Sequence, residues 1–322
     1  MKAMKLTSAV LVAGTLSLAL AGCSGGAAGG EISAENPVEV SVGSTAGGAS
    51  AIFLYGIDQG IFAEEGLDLT VEVQQSGGAT LPAVMGGHID FGASALTSII
   101  QARAEGLPIL AVAGGTGASE DPMTDISQVL VDPASGIESL ADLEGKTLAI
   151  NGLNTISQLS MVKGISDAGV DPDDVEMVEV GFPDMVATLQ QGEIDAATVQ
   201  EPFLTQGLDA GLVSIGSSYF EPGMAIGGVS TSEKFAAEHP EVVTAMKEAV
   251  SRTAKAIADD PESFREFQVE AEMIPAELAD RLNLTSYRGE VDLETVQAAA
   301  DVMVEFGWID EVPDLDALVW KP

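Results

Sequence analysis

Cysteine is almost missing from this sequence, histidine occurs twice, and 13 basic residues stand against 50 acidic ones in 322 positions. A single thiol closes no intrachain disulfide, and with no second Cys and no His cluster near it, it makes no metal site. His88 precedes a predicted strand, which puts it at the sheet edge opposite a ligand crevice, and His239 sits before a helix in the tail, so neither is placed for acid–base work. No G-x-S-x-G elbow is present, and "GGTGAS" at 114–119 departs from G-x-G-x-x-G at its last glycine. The formal net charge of −37 makes nucleic acid and anionic lipid headgroups poor partners. These shortages assign no catalytic residue, no cofactor and no metal, and an enzyme is not the expected class.

A long apolar run is also missing. The segment from about Ala9 to Ala21 follows Lys2 and Lys5 and falls short of the roughly 20 residues that a membrane-spanning helix needs. Its plan is that of a secretory signal peptide over residues 1–22. The end of the segment, Leu20-Ala21-Gly22-Cys23, resembles a bacterial lipobox. That resemblance implies cleavage before Cys23, a diacylglyceryl group on its sulfur and an acylated new amino terminus, an anchor of more than one chain that holds stably. Residues 23–36, rich in Gly, Ala and Ser, are expected to be a flexible tether. The mature chain keeps 11 basic and all 50 acidic residues, an excess of 39 negative charges, and is expected to work outside the cytoplasm.

About 300 mature residues with 46% hydrophobic content exceed the usual single-domain size. An internal echo supports two lobes. Gly87, Ile89 and Asp90 in "MGGHIDFGAS" lie 105 residues before Gly192, Ile194 and Asp195 in "QQGEIDAATV", and the same offset takes Gly106-Leu107 to Gly211-Leu212. Upstream, "EEGLDLTVEV" (64–73) matches "DAGVDPDDVEMV" (167–178) with two extra residues. Each copy predicts the same series: strand (38–42; 146–150), helix (50–64; 155–168), strand (69–74; 174–180) and helix (79–86; 183–191). A short strand (89–91; 194–197), a helix (95–105; 201–210) and a strand (107–113; 212–215) complete it. Strands alternating with helices imply α/β lobes with parallel sheets and right-handed crossovers. Ligands of such sheets bind beyond the carboxyl ends of the strands.

The tail leaves this pattern. "MAIGGV" (224–229) predicts another strand, and from Pro240, suited to a first helical position, the chain reads as helical almost to its end. Val243, Met246, Val250, Thr253 and Ile257 form one apolar stripe; Leu293, Val296, Ala300, Met303 and Phe306 form another.

The stretch from Gly56 to Gly114 carries Gly60, Phe62, Gly66 and Leu67, then Gly87, Asp90 and Gly92, then Ala102, Gly106, Leu107 and Pro108. This order of motifs resembles the nitrate, sulfonate and taurine group of substrate-binding proteins of ABC importers, which includes binders of the thiamine pyrimidine precursor. "SLADLEGKTLAI", "DMVATLQQGEIDAATVQEPF" and "FGWID" extend the likeness over nearly all of residues 38–312. The resemblance implies a type II periplasmic-binding fold: two Rossmann-like lobes joined by a hinge, with C-terminal helices. Residues 37–128 with 224–322 would form lobe one and 129–223 lobe two, joined near 127–133 and 221–228. It also implies capture of a small organic solute, delivery to an ABC permease with its ATPase subunits, and action as a monomer. A sensor co-receptor is the alternative in a different class. The relatives that synthesise the thiamine pyrimidine use a Lys-bound pyridoxal cofactor and a sacrificial His, and no cleft loop here offers either.

Candidate ligand-binding residues are those of the loops that follow the strands. In lobe one these are Ser44, Thr45 and Ala46, then Ser76, Gly77 and Gly78, then Ser94, then Gly115 and Thr116. In lobe two they are Asn154 and Thr155, Phe182 and Asp184, and Gln200 and Glu201. Exposed N–H groups at helix starts can face a ligand there, and the same Ser, Thr, Asn and Asp side chains suit helix caps. Phe182 and Tyr55 could form an apolar wall or pack in the core. None of these loops contains Arg, Lys or His, so a polyanion is an unsuitable ligand. Asp184 and Glu201 could read an amine or hydroxyl, or could serve a helix N-terminus.

Overall fold

In the computed structural model of the protein, residues 32–322 are described apart from Ala46, Gln75, Ser76 and Asn154. The expected signal peptide and Cys23 lie outside them. Residues 32–36, expected as tether, instead make a tight turn in which Asn36 N donates to Ser33 O at 2.9 Å. That turn packs on Gly66, which has φ of 78° and whose place a Cβ could not share with Ser33 N at 2.6 Å.

Regular structure begins with β1 (Val38–Thr45), α1 (Gly48–Asp58), α2 (Ile61–Glu64), β2 (Leu67–Gln74), α3 (Gly77–Met85), β3 (Phe91–Ala95), α4 (Leu96–Ala104) and β4 (Ile109–Gly114). The short β5 (Thr116–Gly117) and then β6 (Ser127–Val131) follow. The second series is β7 (Thr147–Ile150), α5 (Ile156–Asp167), β8 (Glu176–Glu179), α6 (Phe182–Gln190), β9 (Ala196–Gln200), α7 (Phe203–Asp209) and β10 (Val213–Ser217). Then come β11 (Gly227–Ser232), α8 (Glu233–Glu238), α9 (Pro240–Asp259), α10 (Pro261–Glu270), β12 (Ser286–Tyr287), α11 (Leu293–Glu305) and α12 (Leu315–Leu318).

Two five-stranded sheets result, ordered β2-β1-β3-β11-β4 and β10-β6-β9-β7-β8. Within the first, β1 runs parallel to β2 and β3, and β11 is antiparallel to β3 and β4. Within the second, β7 runs parallel to β8 and β9, and β6 is antiparallel to β9 and β10. The echoed aspartates do the same work in both. Asp90 Oδ2 accepts from Ser41 N in β1 at 2.8 Å, and Asp195 Oδ2 accepts from Thr147 N in β7 at 2.9 Å. Each carboxylate thereby fixes the entry of a central strand beside its neighbour.

Lobe one's core forms where Val40 and Val42 of β1 and Val112 and Ala113 of β4 meet α9. The predicted α9 stripe of Val243, Met246, Val250, Thr253 and Ile257 is buried throughout. Full burial of each aliphatic side chain contributes about 1.5–3 kcal/mol. Pro240 takes the first helical position as expected. Leu293 departs from the second stripe, being 38% exposed at the start of α11.

Three expectations need correction. The junction placed near 127–133 falls inside β6, whose Val129, Leu130 and Val131 are buried in the second lobe; the first connection between sheets therefore precedes Ser127, and residues 127–128 belong to lobe two. The strand expected at 89–91 is β3, which starts at Phe91, because Asp90 is engaged with Ser41 and Ile89 sits in a side cluster with Val84 and Ile109. The tail carries no α-helix between Ala271 and Asp292, where a single 3-10 turn at Ala279–Arg281 is followed by β12 paired with β5. Among the described residues no helix is long and apolar enough to cross a membrane.

Candidate functional site

The carboxyl ends of β1, β3 and β4 converge on a hollow of about 230 Å³. Thr45, Ser94, Gly115 and Thr116 line it, as expected, and Ile52 and Phe53 of α1 supply an apolar wall. Ser94 is only 7% exposed and its Oγ is buried with no hydrogen-bond partner. A buried hydroxyl in that state costs about 1–3 kcal/mol. Residues 226–229 complete the wall. Sequence reasoning placed a strand there without assigning it to the site. Its signal was the Gly227-Gly228 pair, since glycines inside a strand mark close approach of a ligand or backbone. At Gly227 a Cβ would stand 2.8 Å from Thr116 Oγ1.

A second hollow of about 160 Å³ lies on the other side of the turn that follows β1. Thr45 and Ala49 line the first hollow, Gly47 and Gly48 the second. Gln200 and Glu201 form its lobe-two wall, and Gln268, Asn283 and Thr285 come from the tail. Asn283 and Thr285 were missed because their segment was read as helix, and Gln268, which does lie in α10, because no local signal marks it.

Glu201 is already engaged. Its Oε1 accepts from Asn283 N at 3.0 Å and from Thr205 Oγ1 at 3.0 Å, and its Oε2 accepts from Thr205 N at 3.1 Å. Burial pushes this carboxyl above its ordinary range, against the lowering by those donors and the nearby Arg281 charge. Glu201 thus ties the start of α7 to the tail while facing the hollow.

Other candidates have local work. Ser44 is buried, with its hydroxyl donating to Thr45 O at 3.2 Å. Thr155 caps α5, with Oγ1 accepting from Gln158 N at 3.4 Å and donating to Gly152 O at 2.8 Å. Gly77 and Gly78 open α3. Phe182 packs half-buried against the second lobe's core, and Asp184 is exposed in the first turn of α6. Tyr55 is a core residue, edge-on to Phe264 at 5.2 Å. Ala46, Ser76 and Asn154 lie outside the described residues.

Among the described residues lining the two hollows there is no Arg, Lys or His. Folding does bring Arg288 to the flank of the β4–β5 loop, but its Nη2 donates to Glu120 at 2.9 Å and to Ala118 O at 3.3 Å. Arg281 is ion-paired with Asp209. The connections between lobes meet at Asp125, whose Oδ2 accepts from Ser119 N at 3.2 Å in the loop after β5 and from Ser217 Oγ at 2.9 Å at the end of β10. Burial raises this carboxyl as well, the hydrogen bonds opposing it.

Comparison with known proteins agrees with this geometry. The family model described as NMT1/THI5 like matches residues 49–264. The formylaminopyrimidine-binding protein of Halalkalibacterium halodurans is 28% identical over 145 residues, which are 45% of this chain and 42% of that protein, so the match spans less than half of the relative's length. Among solved structures, the periplasmic aliphatic sulphonate binding protein SsuA from Escherichia coli is 18% identical, with a TM-score of 0.72 over 89% of this chain and 93% of that one. The alkanesulfonate-binding protein SsuA from Xanthomonas axonopodis pv. citri, bound to MOPS, is 17% identical, with a TM-score of 0.69 over 89% and 99%. The fold is therefore that of a periplasmic binding protein.

Proposed function

Because the chain belongs to the NMT1/THI5-like family, we propose that it is an extracytoplasmic solute-binding protein that captures a small organic solute between its lobes and delivers it to an ABC permease. The observation that carries this reading is the unpartnered Ser94 hydroxyl at an apolar-walled hollow beyond the strand ends, where such sheets bind ligands. The protein performs no reaction; ATP hydrolysis belongs to the permease's partner subunits. Closure turns on the two connections that meet at Asp125, and buries the solute from both sides.

The solute carries at most one negative charge. Neutral donors, apolar walls and Glu201 line the hollows, within an overall field of about 39 negative charges on the mature chain. A taurine-like monosulfonate meets that limit, and so does a neutral or cationic heterocycle of the kind named for the Halalkalibacterium relative. A phosphate monoester does not.

A thermal-shift screen of the soluble protein against sulfonates, pyrimidines, amines and nitrate tests the reading. A true solute at a hundredfold excess over Kd stabilises by about 2.7 kcal/mol and compacts the protein in small-angle scattering. Scattering unchanged at saturation refutes closure, and tight binding of a dianion refutes the charge limit. Loss of solute uptake in a deletion strain separates import from a sensor role. The chain acts as a monomer held at the membrane by lipid on Cys23. Fatty-acid label should be lost from Cys23→Ser, and label retained on that variant removes the anchor.

A further inference from the structure

Four asparagines occur in the chain, and one of them, Asn151, is followed by glycine. The pair stands just past β7: Val180 N donates to Ile150 O at 3.0 Å beside β8, and the chain then leaves the sheet. Asn151 is exposed, and among the described residues neither its side chain nor the N–H of Gly152 has a hydrogen-bond partner. The next peptide group is held from both sides, since Gly152 O accepts from Thr155 Oγ1 at 2.8 Å and Leu153 N donates to Glu179 Oε1 at 2.8 Å. The loop thus fastens the 152–153 peptide and leaves the 151–152 N–H free. Gly152 lies outside the left-handed region, so the turn does not demand glycine on that ground, and an added Cβ would stand 3.3 Å from Thr155 Cγ2.

The other asparagines differ in the group that follows or holds them. Asn36 precedes Pro37, which has no N–H. Asn283 donates through Nδ2 to Asp125 O at 2.9 Å and precedes Leu284. Asn154, outside the described residues, precedes the β-branched Thr155.

An asparagine side-chain amide is an acyl group one ring closure away from the next residue's nitrogen. When a base takes the Gly152 amide proton, that nitrogen attacks Asn151 Cγ, the Cγ–Nδ2 bond breaks, and ammonia leaves from a cyclic imide. Water then opens the ring at either carbonyl, giving aspartate or isoaspartate at position 151. The sequence is redox-neutral and consumes one water for each ammonia released. A hydrogen-bonded N–H would withhold the nitrogen and a Cβ on the following residue would crowd the ring, and Asn151-Gly152 has neither obstacle.

We propose that Asn151-Gly152 is a spontaneous modification site at which the folded chain deamidates and gains one negative charge. The charge appears beyond the carboxyl end of β7, the side on which such a sheet faces its crevice, and near the loop segment that the Glu179 carboxylate already holds. In the isoaspartate form the main chain also lengthens by one atom, just ahead of the Thr155 cap of α5. An older molecule therefore differs from a new one in charge and in loop geometry, whichever solute it carries.

Incubation of the mature protein in mildly alkaline buffer tests this, with its proteolytic peptides mapped by mass and a synthetic peptide of residues 147–158 as the unfolded reference. The fragment spanning Asn151 should gain about one mass unit and acquire isoaspartate at a rate within about tenfold of the synthetic peptide's, a barrier difference below about 1.4 kcal/mol. Gly152→Ala and Asn151→Gln should each slow conversion of that fragment by about tenfold or more. Both changes are at an exposed loop, and the mass readout does not depend on solute binding. A native rate more than about tenfold below the synthetic peptide's would show that the loop protects the pair and would overturn the proposal. Conversion that keeps its wild-type rate in Gly152→Ala, or that falls on Asn36 or Asn283 instead, would overturn it as well.

Discussion

The two lobes are built on one plan and finished differently at the same end. Aligned by the 105-residue echo, the sheets have one order: β2-β1-β3-β11-β4 corresponds to β8-β7-β9-β6-β10. In both, the antiparallel strand comes from outside the repeat, β11 from after the second copy and β6 from between the copies. The strand ends diverge. Ser94 of β3 faces Gly228 of β11 in register, whereas its counterpart Val199 of β9 faces Gln128 of β6. Val199 is fully buried, and Gln128 Nε2 donates to Met123 O at 2.9 Å and to Asp125 O at 3.1 Å. Serine opposite glycine leaves volume and an unpaired hydroxyl, while valine opposite glutamine leaves neither. At this strand end lobe one thus carries an open polar position and lobe two a filled one.

Exchanging the two residues tests that contrast. Val199→Ser removes buried apolar atoms and strands a hydroxyl, and should destabilise by about 2–4 kcal/mol in denaturant unfolding without weakening solute binding below its midpoint. Ser94→Val fills the open position and removes the unpaired hydroxyl. It should leave stability unchanged or raised, and cost about tenfold or more in affinity for the captured solute. Equal stability losses in the two variants would mean that the lobes do not differ as described.

Much of this asymmetry lies beyond what periodicity reveals. The alternation of strands and helices was legible in both copies, because each element is short, apolar and closed by a turn. The echo gave the equivalence of Asp90 with Asp195, though their task of holding Ser41 and Thr147 appears only in the fold. Thr45, Ser94, Gly115 and Thr116 were found as strand-end residues, since topology alone places such loops at the crevice. Gln268 and Asn283 were not, because long-range pairing places them: Asn283 N reaches Glu201 across 82 residues, and β12 reaches β5. The small residues of "FGASA" in β3 carry little strand propensity of their own, and their place between β1 and β11 decides their conformation.

The smallest effect sharpens the comparison at the next position. Glu201 corresponds by the same offset to Leu96, a buried apolar residue at the start of α4. Lobe two alone therefore carries a half-buried carboxylate at this corner, raised above its ordinary value of 4.5 chiefly by burial. A carboxyl with a raised folded-state pKa binds protons more tightly when folded, so its contribution to stability is complete below about pH 4.5 and is lost as pH rises through the folded value. Glu201→Gln keeps an acceptor for Thr205 and Asn283 and removes the titration. The difference in stability between wild type and variant should therefore move against the wild type between about pH 4.5 and neutrality, whatever the remaining 49 acidic residues contribute in common to both proteins. Denaturant midpoints measured across that range at constant ionic strength give the difference. A difference that is flat with pH, or that moves in favour of the wild type as pH rises, would show that the donors from Thr205 and Asn283 outweigh burial at this corner and that Glu201 is an ordinary ionised helix cap.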